Sequence, residues 1–264
     1  MSDLEAKAEK DLPFFKGKCQ QLYELVDQMV PKELILNGDD FGFMALCFIG
    51  KQLEHMKSVL TLGKEGLYRD AALIVRSMIE GHAQLAYAAN DPKRLGRMWR
   101  EFSAVTSWRK LEIHLRMGRP VDPKSRQNVE AILQKSGVQF QSKTARIRDG
   151  YWTNWANLSY SRMIRDMGAD IIADLVYGPF SEWHHWSPEG VGAALQVDPD
   201  STYFSAPSEV EGAMCFANAF QWLFQMAFIV NDHFKLGSEN ALNTLRDAYL
   251  KRPSQVGSSS TAAP

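Results

Sequence analysis

The chain is poor in cysteine: Cys19, Cys47 and Cys215 are the only three in 264 residues, far apart and in no CxxC or Cys/His cluster. That speaks against a disulfide framework or a zinc site, and buried free thiols in a reducing cytoplasm are the expectation. Glycine is scattered, so the chain has no glycine-rich phosphate loop, Walker lysine or dinucleotide fingerprint. A GxSxG elbow is also missing, which removes the usual hydrolase nucleophile. His184 and His185 are adjacent, and on a helix they point about 100° apart with no HExxH to complete a site. No metal and no cofactor are therefore expected. The first ten residues mix charges and hold no apolar core, so they are not read as a signal peptide.

Long apolar runs are almost lacking as well. Only Ala213 to Val230 is both charge-free and rich in Phe, Trp, Met and Ile, close to the minimum for a membrane span. It contains Asn218, Gln221 and Gln225 and is flanked by Glu209, Glu211 and Asp232 without a basic cluster. A buried core or dimer-interface helix is the expectation, no membrane association is expected, and a span at 213–230 is the lesser alternative.

What is present reads as helix nearly throughout, an all-α multi-helix bundle. Leu4 to Val30 reads as a helix interrupted near Pro13, and Phe41 to Leu62 as a second ending at Gly63. Leu67, Ala71, Ile74, Val75, Met78, His82, Leu85 and Ala89 recur at three- and four-residue spacing and define a third. Asn90-Asp91-Pro92 stops it and starts a fourth, read as running to Met117. Asp122-Pro123 opens a shorter helix that stops at Ser136-Gly137, and short helices are expected near Ser159 to Met167 and Ala169 to Val176. Ser208-Glu-Val-Glu211 is a capping box ahead of the long apolar helix. One short segment near 191–206 reads as extended. The expected domains are an N-terminal helical extension at 1–40, a single α-helical domain at 41–250 and a disordered tail at 251–264.

A formal net charge of -1 hides an asymmetry. From Lys93 to Arg148 there are fourteen Lys or Arg against four acids, Glu101, Glu112, Asp122 and Glu130. Arg94, Arg97, Arg100, Arg109, Lys110, Arg116 and Arg119 fall along the fourth predicted helix, with Trp99, Phe102 and Trp108 among them. Cations interleaved with aromatics suit a phosphate backbone and stacked bases, which makes Arg97, Arg100 and Arg109 candidate RNA-binding residues. The alternative is a solvated face, or one that docks on acidic protein.

Between Ala71 and Ala89 only Arg76 and Glu80 are charged, one helical turn apart with Leu73, Ala83 and Tyr87 on the same face. Such a pair either ties helices together or forms a preorganised site in which Arg76 binds an anion and Glu80 holds it or acts as a base. His82 falls on the apolar stripe instead. In Tyr177-Gly-Pro-Phe-Ser181-Glu-Trp-His-His185, a hydroxyl and an imidazole share the four-residue spacing. Tyr177, Ser181 and His185 are expected to meet Arg76 and Glu80 across the bundle.

Gly66-Leu-Tyr-Arg-Asp-Ala-Ala-Leu-Ile-Val-Arg76-Ser-Met-Ile-Glu80 resembles the "G-x-Y-R-x-A-x-x-L-x-R-S-x-x-E" helix of the bacterial domain of unknown function 5677 family. Ser161-Arg-Met163 and Tyr177 to Ser187 resemble that family's "S-I-R-x-M/L" and "Y-x-x-x-S-x-x-x-H-x-S" elements, in the same order. The resemblance implies an α-helical protein with Arg76, Glu80, Ser181 and His185 at characteristic polar positions, and no established activity. More distantly, Arg76-Ser-Met-Ile-Glu-Gly-His82 is similar to the Arg-x(4–6)-His motif of HEPN-type helical domains, many of which bind or cut RNA. In mid-helix that spacing turns the two side chains about 240° apart, so His185 is the better partner for Arg76. The reading is a cytoplasmic, homo-oligomeric, HEPN-like helical protein, expected dimeric, that binds RNA or another phosphate-bearing ligand. Metal-independent ribonuclease action is its catalytic form, with His185 as general acid or base, Arg76 stabilising the phosphorane and Glu80 orienting Arg76. The competing reading is a non-catalytic protein-interaction module with a structural Arg/Glu/Ser/His cluster.

Overall fold

The computed structural model describes residues 3–31, 33, 36–142, 150–184, 195–198, 201–204 and 208–252. They form helices α1 (Asp3–Met29), α2 (Asp40–Lys64), α3 (Tyr68–Ala89), α4 (Pro92–Glu101), α5 (Ser103–Arg116), α6 (Pro123–Ser136), α7 (Tyr160–Asp166), α8 (Asp170–Ile172), α9 (Gly178–His184), α10 (Glu209–Phe234) and α11 (Glu239–Leu250). The extended segment is an antiparallel hairpin, β1 (Leu195–Asp198) with β2 (Ser201–Phe204), pairing Leu195 with Phe204. Contacts sort the chain into two compact units. The first holds 1–35, 45–87 and 160–264; the second holds 36–44 and 88–159.

The first unit is built around α10. Thirteen of its residues are buried, among them Phe216, Phe220, Leu223, Met226 and Val230, and 61% of its most apolar window lies inside the protein. An all-round apolar helix needs neighbours on every side. α1 supplies one wall through Phe15, Cys19, Leu22 and Val26, all buried, and Cys19 Sγ donates to Phe216 O at 3.1 Å. Pro13 lies inside α1 and does not interrupt it, contrary to the sequence expectation. The missing N–H costs one ladder bond, and burial of Leu12 and Phe15 on either side holds the helix together. Gly63 likewise does not end α2; it passes so close to the Phe216 ring that any side chain would overlap it, and the turn comes at Gly66 with φ +72°. α11 closes the unit with Tyr249 stacked on Phe220 at 4.0 Å between ring centroids.

The capping box forms as read: Glu211 N donates to Ser208 Oγ at 3.2 Å, and Ser208 N to Glu211 Oε2 at 2.5 Å. Burial pushes the Cys19 and Cys215 thiols well above the usual range, as in apolar surroundings it must, whereas Cys47 is exposed rather than buried.

The second unit corrects one expectation. The helix read from Pro92 to Met117 breaks at Phe102 into α4 and α5. Phe102 keeps right-handed dihedrals (φ -61°, ψ -18°), so neither proline nor glycine marks the break. Its ring instead meets Phe140 edge-on at 5.2 Å, and Phe140 meets Trp152 at 5.5 Å. Phe140 is fully buried with Val105, Leu95 and Trp155. Asp91 caps α4 by accepting from Arg94 N, and Pro92 takes the first helical position. α6 has no buried residue.

Gly96 sets how closely α4 approaches the start of α2. A Cβ there would lie 2.7 Å from Phe41 N and 2.8 Å from Phe41 Cα, both backbone atoms that cannot swing aside. Gly96→Ala is therefore expected to destabilise the protein by about 1–3 kcal/mol despite alanine's better helix propensity. A chemical denaturation midpoint equal to or above that of wild type would show that α4 can retreat at no cost.

Candidate functional site

The "Gly-x-Tyr-Arg" start of α3 is a docking device. Gly66 turns the chain with positive φ, and Arg69 Nε then pairs with Glu211 Oε1 at 2.9 Å, the carboxylate that also closes the capping box of α10. Tyr68 O accepts from Cys215 Sγ at 3.1 Å, and the Tyr68 ring lies so close to Gly212 that a Cβ there would come within 2.9 Å of it. These contacts fix how α3 is rotated about its axis. Met78, Ile79 and His82 turn inward, and Arg76 and Glu80 are mostly covered, at 21% and 20% side-chain exposure.

Arg76 Nη2 lies 3.1 Å from Glu80 Oε1, and Tyr177 Oη donates to that same oxygen at 2.9 Å. Arg76 Nη2 also donates to Tyr177 Oη at 3.4 Å, with the guanidinium carbon 5.3 Å from the centre of the phenol ring. Arginine, carboxylate and phenol thus close a triangle. Tyr177 reaches it from a π-helical turn, Ala173–Tyr177, set between α8 and α9. One extra residue per turn re-aims side chains, a device frequent at functional sites. Burial pushes the Tyr177 phenol above its ordinary range, the Arg76 bond pulls it down and the Glu80 bond pushes it up again. Tyr160 at the start of α7 is raised too, by burial first and then by the charge of Glu80, so it belongs to the same electrostatic neighbourhood. Both phenols stay protonated at neutral pH and can act as donors. Arg76 Nε is buried without a hydrogen-bond partner among the described residues.

Of the residues named from the sequence, the structure brings together Arg76, Glu80 and Tyr177. Ser181 is half-buried one turn further on and makes no hydrogen bond to them among the described residues. His185 lies outside the described residues. Tyr160 was missed because its approach depends on the packing of α7, which no spacing encodes. His82 faces away from this cluster, its ring 5.1 Å from that of Trp222, and desolvation lowers its pKa from 6.5 to about 4. Among the described residues no three of His, Cys, Asp or Glu stand close enough to hold a metal ion.

The cations expected to bind RNA separate into two kinds. Arg109 is spent on structure: Nη2 donates to Trp152 O at 2.7 Å and Tyr151 O at 3.3 Å, over the face of Phe102. Arg100 pairs with Asp40 at 2.9 Å above the Phe43 ring, although half of it remains exposed. Arg97 is exposed and forms no ion pair among the described residues.

The model of a family of unknown function, DUF5677, matches residues 42–202, more than half of the chain. The protein belongs to this family. Neither a curated protein nor a solved structure matches it. The DUF5677 match takes in Arg76, Glu80 and Tyr177 together with the whole basic segment.

Two measurements check this geometry. Glu80→Ala strands a largely covered guanidinium and should cost about 2–3 kcal/mol, and Tyr177→Phe about 1 kcal/mol. A Glu80→Ala variant with unchanged melting would mean that Arg76 simply moves into water. The second is a pH effect of His82. Unfolded chains take up a proton near pH 6.5 while folded His82 stays neutral to about 4, so stability is present above pH 6.5 and lost as pH falls toward 4, by about 3 kcal/mol. His82→Gln should flatten that part of the stability profile, and an unaltered acid limb would assign the loss to other groups.

Proposed function

We propose that this protein binds RNA or a related phosphate-bearing polymer through the basic face of its second unit. The observation that supports it is how the charges there are used. The unit carries fourteen Lys or Arg against eight Asp or Glu. Arg94, Arg100 and Arg126 are tied to Asp91, Asp40 and Glu130. Lys93, Arg97, Lys110, Arg119, Lys124 and Lys135 form no ion pair among the described residues, and all are exposed. Unpaired cations of this density lower in energy when they neutralise phosphates and release condensed counterions.

In the catalytic form of this reading, His185 acts as general acid or base on the 2′-hydroxyl, Arg76 stabilises charge on the phosphorane, and Glu80 with Tyr177 holds the guanidinium in place. Specific support for the competing reading, a non-catalytic interaction module, comes from the Arg76–Glu80–Tyr177 triangle: its charges already satisfy each other, as a structural clip requires.

Affinity for a single-stranded RNA measured against salt separates these readings. Binding is expected to weaken steeply, with a log–log slope of about -0.7 per phosphate neutralised, and reversing Lys110, Lys124 and Lys135 together should make the slope shallower. His185→Ala should abolish cleavage and leave affinity roughly unchanged, since a proton-transfer group acts on the transition state. Absent or salt-insensitive binding would leave the interaction module; binding without His185-dependent cleavage would leave an RNA-binding protein that is no enzyme.

A further inference from the structure

Two clefts in the second unit share a wall. The larger, about 570 Å³, opens beside α4 over Met98 and reaches Gln139. The smaller, about 290 Å³, opens between α4 and the Gly38 to Phe41 turn. Lys93 and Arg97 line both. Four residues apart on one helix, they stand side by side as a ridge between the two hollows.

Around the ridge two acids are neutralised by arginines and two are held by neutral donors. Asp91 caps α4 and pairs with Arg94 at 2.7 Å. Glu101 accepts from the Gln139 amide at 2.5 Å. Asp40 holds Arg100, and Asp39 accepts from Gly42 N at 2.8 Å. Lys93 and Arg97 keep exposed charge with no such partner among the described residues. Lys93 also sits in the first turn of α4, whose first turn holds no acidic residue. There the helix macrodipole disfavours a cation. A lysine held at an unfavourable position, beside an unpaired arginine and between two hollows, is stabilised by an anion laid across the ridge.

We propose that Lys93 and Arg97 form the primary contact for a single-stranded phosphodiester chain, with neighbouring phosphates on the two cations and the flanking bases in the two clefts. This rests on the polyanion reading above and names its site and its form of nucleic acid. A duplex keeps its bases stacked inside and cannot fill hollows on both sides of the phosphates it presents, whereas a single strand can splay its bases into them. Met98 in the larger cleft and Pro92 in the smaller offer the apolar surface on which a base can rest, Met98 partly exposed and Pro92 exposed.

The test is fluorescence anisotropy with a labelled single-stranded RNA twelve-mer and its blunt duplex, on wild type, K93E/R97E and K93R/R97K, with thermal melting of each. Wild type should bind the single strand at least about ten-fold more tightly than the duplex. K93E/R97E should weaken single-strand binding more than about ten-fold and make the salt slope shallower by about 1.4, that is, two phosphates. Its melting midpoint should stay level or rise, because a carboxylate replaces a cation at the helix start. K93R/R97K should retain affinity. Single-strand binding by K93E/R97E equal to wild type overturns the ridge and leaves the polyanion reading standing. Equal affinity for duplex overturns the single-strand assignment. A lowered midpoint in K93E/R97E together with lost affinity in K93R/R97K makes the two residues structural and also overturns it. If wild type binds neither RNA, the polyanion reading itself fails.

Discussion

A helix that is apolar around most of its circumference cannot be left in water, and α10, most open along the stripe of Met214, Asn218, Gln221 and Gln225, is such a helix. Its burial organises the first unit. α1 covers one flank, α11 brings Tyr249 onto Phe220, and α3 must dock where α10 offers its few polar groups. Two of those groups lie near its start: Glu211 takes Arg69, and Cys215 donates to Tyr68 O. With two anchors at the beginning of α3, the phase of the whole helix is set, since each later side chain follows at about 100° per residue. Arg76 and Glu80 then fall on the side reached by the π turn, and His82 falls against Trp222. The "Gly-x-Tyr-Arg" half of the motif is scaffolding for the "Arg-x-x-x-Glu" half.

The cluster so positioned is economical in charge. A guanidinium four-fifths covered by protein would be costly alone, and the shared Glu80 oxygen with the Tyr177 hydroxyl answers it within one turn of helix and one turn of π-helix. Regular helix in place of the π turn over Ala173–Tyr177 would rotate Tyr177 away, so the irregularity and the phenol belong together.

Much of the fold was legible because it is written in local chemistry. Asp91-Pro92, Asp122-Pro123 and Ser208 to Glu211 mark helix starts by side chains that satisfy orphan amides, and all three act where they were read. The errors have the opposite character. Pro13 and Gly63 look like stops, but tertiary burial holds both helices through them. The break at Phe102 carries no local mark; what sets Phe102 apart is an aromatic contact with Phe140, thirty-eight residues on. Of the site, Arg76, Glu80 and Tyr177 were readable as polar residues spaced by single turns in apolar surroundings. Tyr160 and Lys93 were not, because what distinguishes them is the neighbour they have or lack.

The same limit governs charge. Counting Lys and Arg from residue 93 to 148 treats Arg109 and Arg97 alike, yet Arg109 donates to two carbonyls and Arg97 forms no ion pair among the described residues. A cation without an internal partner gains most from exchanging counterions for phosphates, since a paired one already has part of its charge answered. By that criterion the two parts of the chain handle charge in contrasting ways. Around Arg76 each charge is answered and the arrangement holds its shape; around Lys93 and Arg97, Asp91 and Asp40 pair with Arg94 and Arg100, Glu101 and Asp39 accept from neutral donors, and the two cations form no ion pair among the described residues. A fold that caps α4 with Asp91 and then neutralises that cap with Arg94 leaves Lys93 facing the helix dipole unaided. The polyanion proposed above finds its free cations on this basic face rather than in the closed triangle, where Arg76 already has Glu80 and Tyr177.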